Sequence, residues 1–290
     1  MIRDFVYLRP RTVSETLLLL SKYQEECKII AGGQSLLILM RQGLVAPKYL
    51  IDIKNVQELQ YIKLDQKEGL RIGATTIHRA IEKSSVINEK FGILAEMEKT
   101  LASIQTRNWG TIGGNLCHGE PAGDPAPVLI ALKANLKLAN STSERKMPVE
   151  DFCLDYFETA LNEDELLLEI QVPFPPARTA TVFDKFTIIQ NDIAMVSVAA
   201  SITLSDDGAV CKDARIALGG AAPVPLRATK AEEILVGNKL SDALIEEAGH
   251  RVSEQAEPIS DIHASEEYRR QLAKIITKRM VRKAWGQAKQ

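Results

Sequence analysis

Apolar residues recur along the whole chain at spacings that alternate between helical and strand periods, so short strands and short helices are expected to take turns. Residues 5–8 read as a strand closed by Pro10, and Ser14 is the expected cap of a helix carrying Leu17, Leu18, Leu20 and Tyr23 on one face. Residues 28–31 form an apolar strand that runs directly into Gly32-Gly33, followed by a helix over 35–43 and a strand over 49–53. A strand at 70–73, a helix at 77–83 and a longer helix at 93–104 lead to a glycine-rich stretch at 110–114. A helix at 127–132, a strand at 135–138 and a strand at 166–172 close this first part.

Pro173, Pro175 and Pro176 then mark a boundary. Beyond it, residues 182–189, 193–204 and 210–218 are long strand-like runs rich in Val, Ile and Thr, and residues 205–208 (Ser-Asp-Asp-Gly) read as a hairpin turn. After Pro223 and Pro225, helices are expected at 229–235, 241–255 and 265–288. The fold class is therefore α+β: residues 1–176, divisible near 52–56 into parts of about 1–55 and 56–176, then residues 177–290 as a three-stranded antiparallel sheet with three helices.

Composition narrows the function. With 290 residues, 45% of them hydrophobic, the chain can bury a real core, and a net charge of -2 gives no general reason to bind nucleic acid or an anionic membrane. The apolar runs are too short or too mixed for membrane insertion, and the first residues lack a signal-peptide pattern, so a cytoplasmic protein is expected. Cys27, Cys117, Cys153 and Cys211 are scattered, with no CxxC spacing, and no metal site is read from them. Lys274, Lys278, Arg279, Arg282 and Lys283 on the last helix read as a solvated face.

The candidate chemistry lies in two glycine pairs. Ala31-Gly32-Gly33-Gln34-Ser35 sits between a strand and a helix, and Thr111-Ile112-Gly113-Gly114-Asn115 follows a helix and leads into a polar loop over 117–124. Paired glycines let a backbone approach a ligand closely, and successive N–H groups can hold phosphate oxygens. Either pair alone reads as a structural turn, and neither fits GxGxxG or GxxxxGK[ST]. Two such loops together could hold a pyrophosphate from both sides.

The stretches KIIAGGQS (28–35), YLIDI (49–53), LRIGA (70–74), IQTRNWGTIGGNLCHGEPAGD (104–124) and ALGGAAPVP (217–225), with Asp184-Lys185 and Asp192-Ile193-Ala194, resemble the FAD-binding subunit of the xanthine dehydrogenase and carbon monoxide dehydrogenase family in order and spacing. That resemblance implies a two-part FAD-binding domain of the vanillyl-alcohol oxidase (PCMH) type, followed by a small C-terminal flavoprotein domain. It implies non-covalent FAD, held on its pyrophosphate by Lys28, Ile29, Ile30, Ala31, Gly32, Gly33, Gln34 and Ser35 and by Thr111, Gly113, Gly114 and Asn115. Cys117, His118 and Asp124 would line the flavin, Leu101, Ala102 and Ile216 would pack on its ring, and Leu167 and Lys185 would add contacts.

Each of these residues also has a plain structural reading: Asp124 before Pro125 as a helix cap, Lys185 as a surface charge on an alternating strand, the apolar residues as core. The resemblance further implies a molybdopterin-binding large subunit and a [2Fe–2S] small subunit as partners, with NAD+ or another electron acceptor downstream. No catalytic acid–base residue is required of the chain. A free-standing FAD-dependent oxidase of the vanillyl-alcohol oxidase type is the alternative enzyme, and a scaffold subunit without FAD the alternative non-enzyme.

Overall fold

A computed structural model describes residues 2–290. The first unit comprises β1 (Val6–Leu8), α1 (Val13–Tyr23), β2 (Cys27–Ile30), α2 (Leu36–Gln42) and β3 (Tyr49–Asp52). Its strands form a parallel sheet in the order β1-β3-β2. The α1 cap is Thr12 rather than the expected Ser14: Thr12 holds extended backbone and its hydroxyl accepts from the Glu15 N–H, which leaves Ser14 inside the first turn.

The second unit runs through β4 (Ile62–Asp65), β5 (Gly69–Gly73), α3 (His78–Lys83), α4 (Ser85–Lys90), α5 (Gly92–Thr100), α6 (Ile104–Arg107), α7 (Ile112–His118) and α8 (Pro125–Ala131). It continues with β6 (Asn135–Ala139), β7 (Glu144–Pro148), the short pair β8 (Cys153–Asp155) and β9 (Glu158–Thr159), and β10 (Leu166–Val172). The sheet order is β4-β5-β10-β6-β7, so the last strand of the unit sits at its centre. Simple alternation would put Leu167 and Ile170 on opposite faces. A register shift between Leu167 and Glu169 turns both into the core with Ile81, Leu94, Met97, Ile112 and Leu129, while Leu166 packs with Leu17, Leu20 and Ile51 of the first unit. Each such side chain contributes about 1.5–3 kcal/mol by leaving water.

The third unit holds β11 (Thr179–Phe186), β12 (Val196–Leu204), β13 (Cys211–Gly219), β14 (Leu226–Arg227), α9 (Thr229–Leu235), α10 (Asp242–Gln255) and α11 (Glu266–Ala288). The sheet has four antiparallel strands, not the expected three, because Leu226 and Arg227 add a fourth beside β13. Two residues are too few to show a period. Every residue of β12 is buried: Val198, Ala200 and Ile202 face the core shared with α10 and α11, and Ala199 faces the core of the second unit. A strand covered on both faces reads as one continuous apolar run.

The basic residues of α11 largely answer acids on α10. Lys274 and Lys278 meet Glu246, and Arg282 meets Asp242, as exposed pairs worth little individually. Among the described residues no helix is long and apolar enough to cross a membrane, and no cluster of His, Cys, Asp and Glu could hold a metal ion.

Candidate functional site

The first glycine turn is fixed by its anchors. Ile30, at the end of β2, is buried with Met40 of α2 and Leu50 of β3, so the chain must reverse within residues 31–35. Gly33 does this at φ +71°, a left-handed conformation that favours glycine. The backbone N–H groups of Gly32, Gly33, Gln34 and Ser35 find no acceptor among the described residues. The Gln34 side chain donates back to the Gly32 carbonyl at 3.1 Å, while Lys28 is exposed and Ile29 and Ala31 are half-buried.

Gly32 is glycine for a different reason. A Cβ there would lie 2.3 Å from the Trp109 carbonyl oxygen and 2.7 Å from the Gly110 Cα, so the two glycine segments touch backbone to backbone.

The second segment corrects the sequence reading. Residues 112–118 are not a glycine loop leading to a polar one but the helix α7, capped by Thr111, whose hydroxyl accepts from the Gly114 N–H at 3.1 Å. The Ile112 and Gly113 N–H groups are already taken by the carbonyls of Thr76 and Ala74. A Cβ on Gly113 would stand 2.6 Å from the Ala74 oxygen, so Gly113 serves the packing of α7. A Cβ built on Gly114 would lie 4.0 Å from that of Ala31, which places the exposed Gly114 opposite the first turn, with Asn115 beside it.

Cys117 and His118 lie in the last turn of α7. Burial pushes the Cys117 thiol up to about 12, so at neutral pH it is not a thiolate. Burial likewise holds the His118 imidazole below its ordinary value, and its ring tilts against Phe157 at 5.2 Å between centroids.

Asp124 occupies the cap position of α8 but caps nothing with its side chain. Its Oδ2 accepts from the Lys185 Nζ at 2.6 Å, and Lys185 also donates to the Asp192 carbonyl at 3.0 Å. Both side chains are buried, at 6% and 7% exposure, which overturns the helix-cap and surface-charge readings together. The pair joins the second unit to the third. Burial pushes the Asp124 carboxyl up to about 6 against the opposing pull of Lys185, and its Oδ1 is buried with no donor among the described residues.

The apolar candidates separate. The expected helix over 93–104 breaks at Leu101 and Ala102, where Ala102 takes φ +44°. The buried Arg107 holds that turn, donating to the Leu101 and Ala102 carbonyls at 2.7 Å and to Glu82 at 3.1 Å. Leu101 and Leu167 are enclosed in the core of the second unit, and only Ala102 keeps exposed surface. Ile216 is removed from the site: it is fully buried with Val198 and Ala200 on the sheet face turned to α10 and α11.

Between the second and third units lies a cavity of about 420 Å³, lined by Glu120, Tyr156, Phe157, Asp192, Ile193 and Arg269 among others. The sequence reading missed it, because its walls come from six separate stretches. It also missed Glu82, His78, Glu98 and Arg107, buried charged or polar residues whose only signal was a polar side chain on an otherwise apolar helix face.

Residues 3–175 match the family described as the FAD binding domain in molybdopterin dehydrogenase, and residues 181–284 match the CO dehydrogenase flavoprotein C-terminal domain. The chain belongs to the FAD-binding medium subunits of the carbon monoxide dehydrogenase and xanthine dehydrogenase family of molybdenum hydroxylases. It is 34% identical to the glyceraldehyde dehydrogenase medium chain of Sulfolobus acidocaldarius, over 94% of this chain and 96% of that one. It is 28% identical to the xanthine dehydrogenase FAD-binding subunit of Escherichia coli O157:H7, over 97% and 96%. The solved carbon monoxide dehydrogenase from Hydrogenophaga pseudoflava, a form lacking the Mo-pyranopterin moiety, superposes with a TM-score of 0.95 at 32% identity, covering 99% of each chain.

As a member of this family the chain is an oxidoreductase flavin subunit, and its cofactor is FAD. The residues present fit that group. Four unpaired N–H groups suit a diphosphate, glycines keep the approach open, and the orphaned Oδ1 of Asp124 suits a flavin N–H.

Proposed function

We propose that this flavin subunit takes electrons from the [2Fe–2S] clusters of a partner subunit and passes them to NAD+ or another acceptor, in a cytoplasmic heteromer whose large subunit carries molybdopterin. The observation that carries the reading is the junction of the two glycine segments beside the buried Asp124–Lys185 pair. Bound FAD supplies the exchange between one-electron and two-electron carriers. The N–H groups of residues 32–35 would hold the diphosphate, with Lys28, Ile29, Ile30 and Ala31 setting the turn, Gly114 and Asn115 facing it, and Thr111 and Gly113 fixing α7 behind them. Asp124 and Lys185 would orient the flavin, and Ala102, Cys117 and His118 would line its pocket, with no covalent attachment.

The cavity of about 420 Å³ is placed to receive the acceptor, since its wall at Asp192 is the segment that Lys185 holds. Tyr156 and Phe157 offer a flat ring such as nicotinamide an apolar face. Mixing the reduced, FAD-loaded chain with NAD+, a ferredoxin or a quinone tests this: rapid flavin reoxidation by NAD+ is the expected result. Reoxidation only by one of the others would reassign the acceptor. The Tyr156→Ala variant should weaken NAD+ binding about 2- to 10-fold, the scale of one lost aromatic contact; an unchanged concentration dependence of reoxidation would place the acceptor elsewhere.

Asp124 makes FAD retention depend on pH. Only its ionised form offers Oδ1 as a full acceptor, and the carboxyl is held at about 6. Affinity should therefore fall as pH drops through that value. Asp124→Asn should bind FAD more weakly at pH 8, by about 5- to 100-fold, with a flat profile; a wild-type-like pH profile in that variant would remove Asp124 from the site.

A further inference from the structure

Behind Asp124 lies a second buried pair that the electron relay does not account for. Glu98, fully buried on α5, meets His78 of α3, whose Nδ1 lies 2.9–3.0 Å from the carboxylate oxygens. Among the described residues Glu98 Oε2 accepts no hydrogen bond of its own, and His78 Nδ1 is its near neighbour. Helix α5 packs against α3, against α8, which Asp124 begins, and against β11, which carries Lys185. The charged or titratable groups on the elements packed around Asp124 are Lys185 on β11, which pairs with it directly, Glu98 on α5, which packs on α8, and His78 on α3, which packs on α5. The same histidine reaches the glycine junction: its backbone N–H donates to the Gly110 carbonyl at 3.0 Å, and its ring edge would lie 3.1 Å from a Cβ on Gly110.

We propose that His78 and Glu98 are positioning residues of the FAD site: the buried pair tunes Asp124 electrostatically and so sets how tightly, and over what pH range, FAD is held. The inference rests on the assignment of Asp124 to the flavin made above. Two carboxylates share a poorly hydrated region with one ammonium and one imidazole, where charges interact far more strongly than in water. Glu98 pushes the Asp124 carboxyl up, and His78 pulls it down.

The test is FAD affinity of the full chain, read by flavin fluorescence quenching from pH 5 to 8. E98Q should move the midpoint of the affinity profile down by about one pH unit and H78Q should move it up, the scale a neighbouring charge produces. The double variant H78Q/E98Q should return it close to wild type. Folded variants with an unmoved midpoint would reduce the pair to packing and overturn the proposal. Should the variants not fold, the wild-type protein decides. The His78 ring proton, followed by NMR in the FAD-free chain, should sense the ionisation of Asp124 as an inflection at the same midpoint, and its absence would equally overturn the proposal. A wild-type FAD affinity that does not change with pH would instead bring down the underlying assignment of Asp124.

Discussion

Gly33→Val should leave the chain folded and almost empty of FAD. A branched side chain at φ +71° is strained by about 1–2 kcal/mol, an amount a domain of this size survives. Its Cβ would meet only the side-chain ends of Leu37 and Ile30, at 3.1 and 3.2 Å, and both can move. The turn would relax toward ordinary backbone, and the four free N–H groups would no longer converge. A hydrogen bond to a charged group contributes about 1.5–3 kcal/mol, so misaiming two of them should weaken FAD binding by about a hundredfold or more. The FAD-to-protein ratio after gel filtration, with far-ultraviolet circular dichroism as the folding control, checks this. Full occupancy would contradict the pyrophosphate assignment. Gly32→Ala makes a contrast: its Cβ would press on the Trp109 backbone at 2.3 Å, so stability and FAD should fall together.

Lys185→Met should be the most destabilising single change at the site, and its effect should depend on pH. It leaves Asp124 buried without its cation, a loss of about 3–5 kcal/mol when the carboxylate stays ionised. The sign follows from the direction of the Asp124 shift. Its folded value, about 6, is raised above the ordinary 3.8. The stability it contributes is therefore present below the ordinary value and is lost as pH rises through the folded one. Without Lys185 the carboxyl is driven further up and escapes the penalty by taking a proton. The variant should be close to wild type in thermal stability at pH 5 and fall behind progressively toward pH 8. Equal melting temperatures at pH 8 would mean that the pair does not couple the second unit to the third.

The parts of this fold legible in the sequence are those whose pattern is local and long enough to repeat. Strand β10 (Leu166–Val172) and helix α9 (Thr229–Leu235) stand where periodicity puts them. Strand β14 escaped because two residues carry no period, and α5 was read too long because nothing in the sequence shows that Ala102 takes a left-handed turn held by Arg107. The glycine turns were legible as a pair, but not the division of labour between them: Gly113 packs on Ala74, which only the fold brings near. Asp124 before Pro125 looks like a cap, and its real partner is 61 residues away. Ile216 was misplaced because β13 is buried toward both cores, and apolarity alone does not say which face a residue takes.

The most direct test of the account is an absorbance spectrum of the purified chain, followed by acid precipitation and analysis of the supernatant. Flavin absorbance, with intact FAD released into solution, is the predicted result. A colourless protein that stays colourless after incubation with FAD, or a yellow pellet that keeps its flavin, would contradict it.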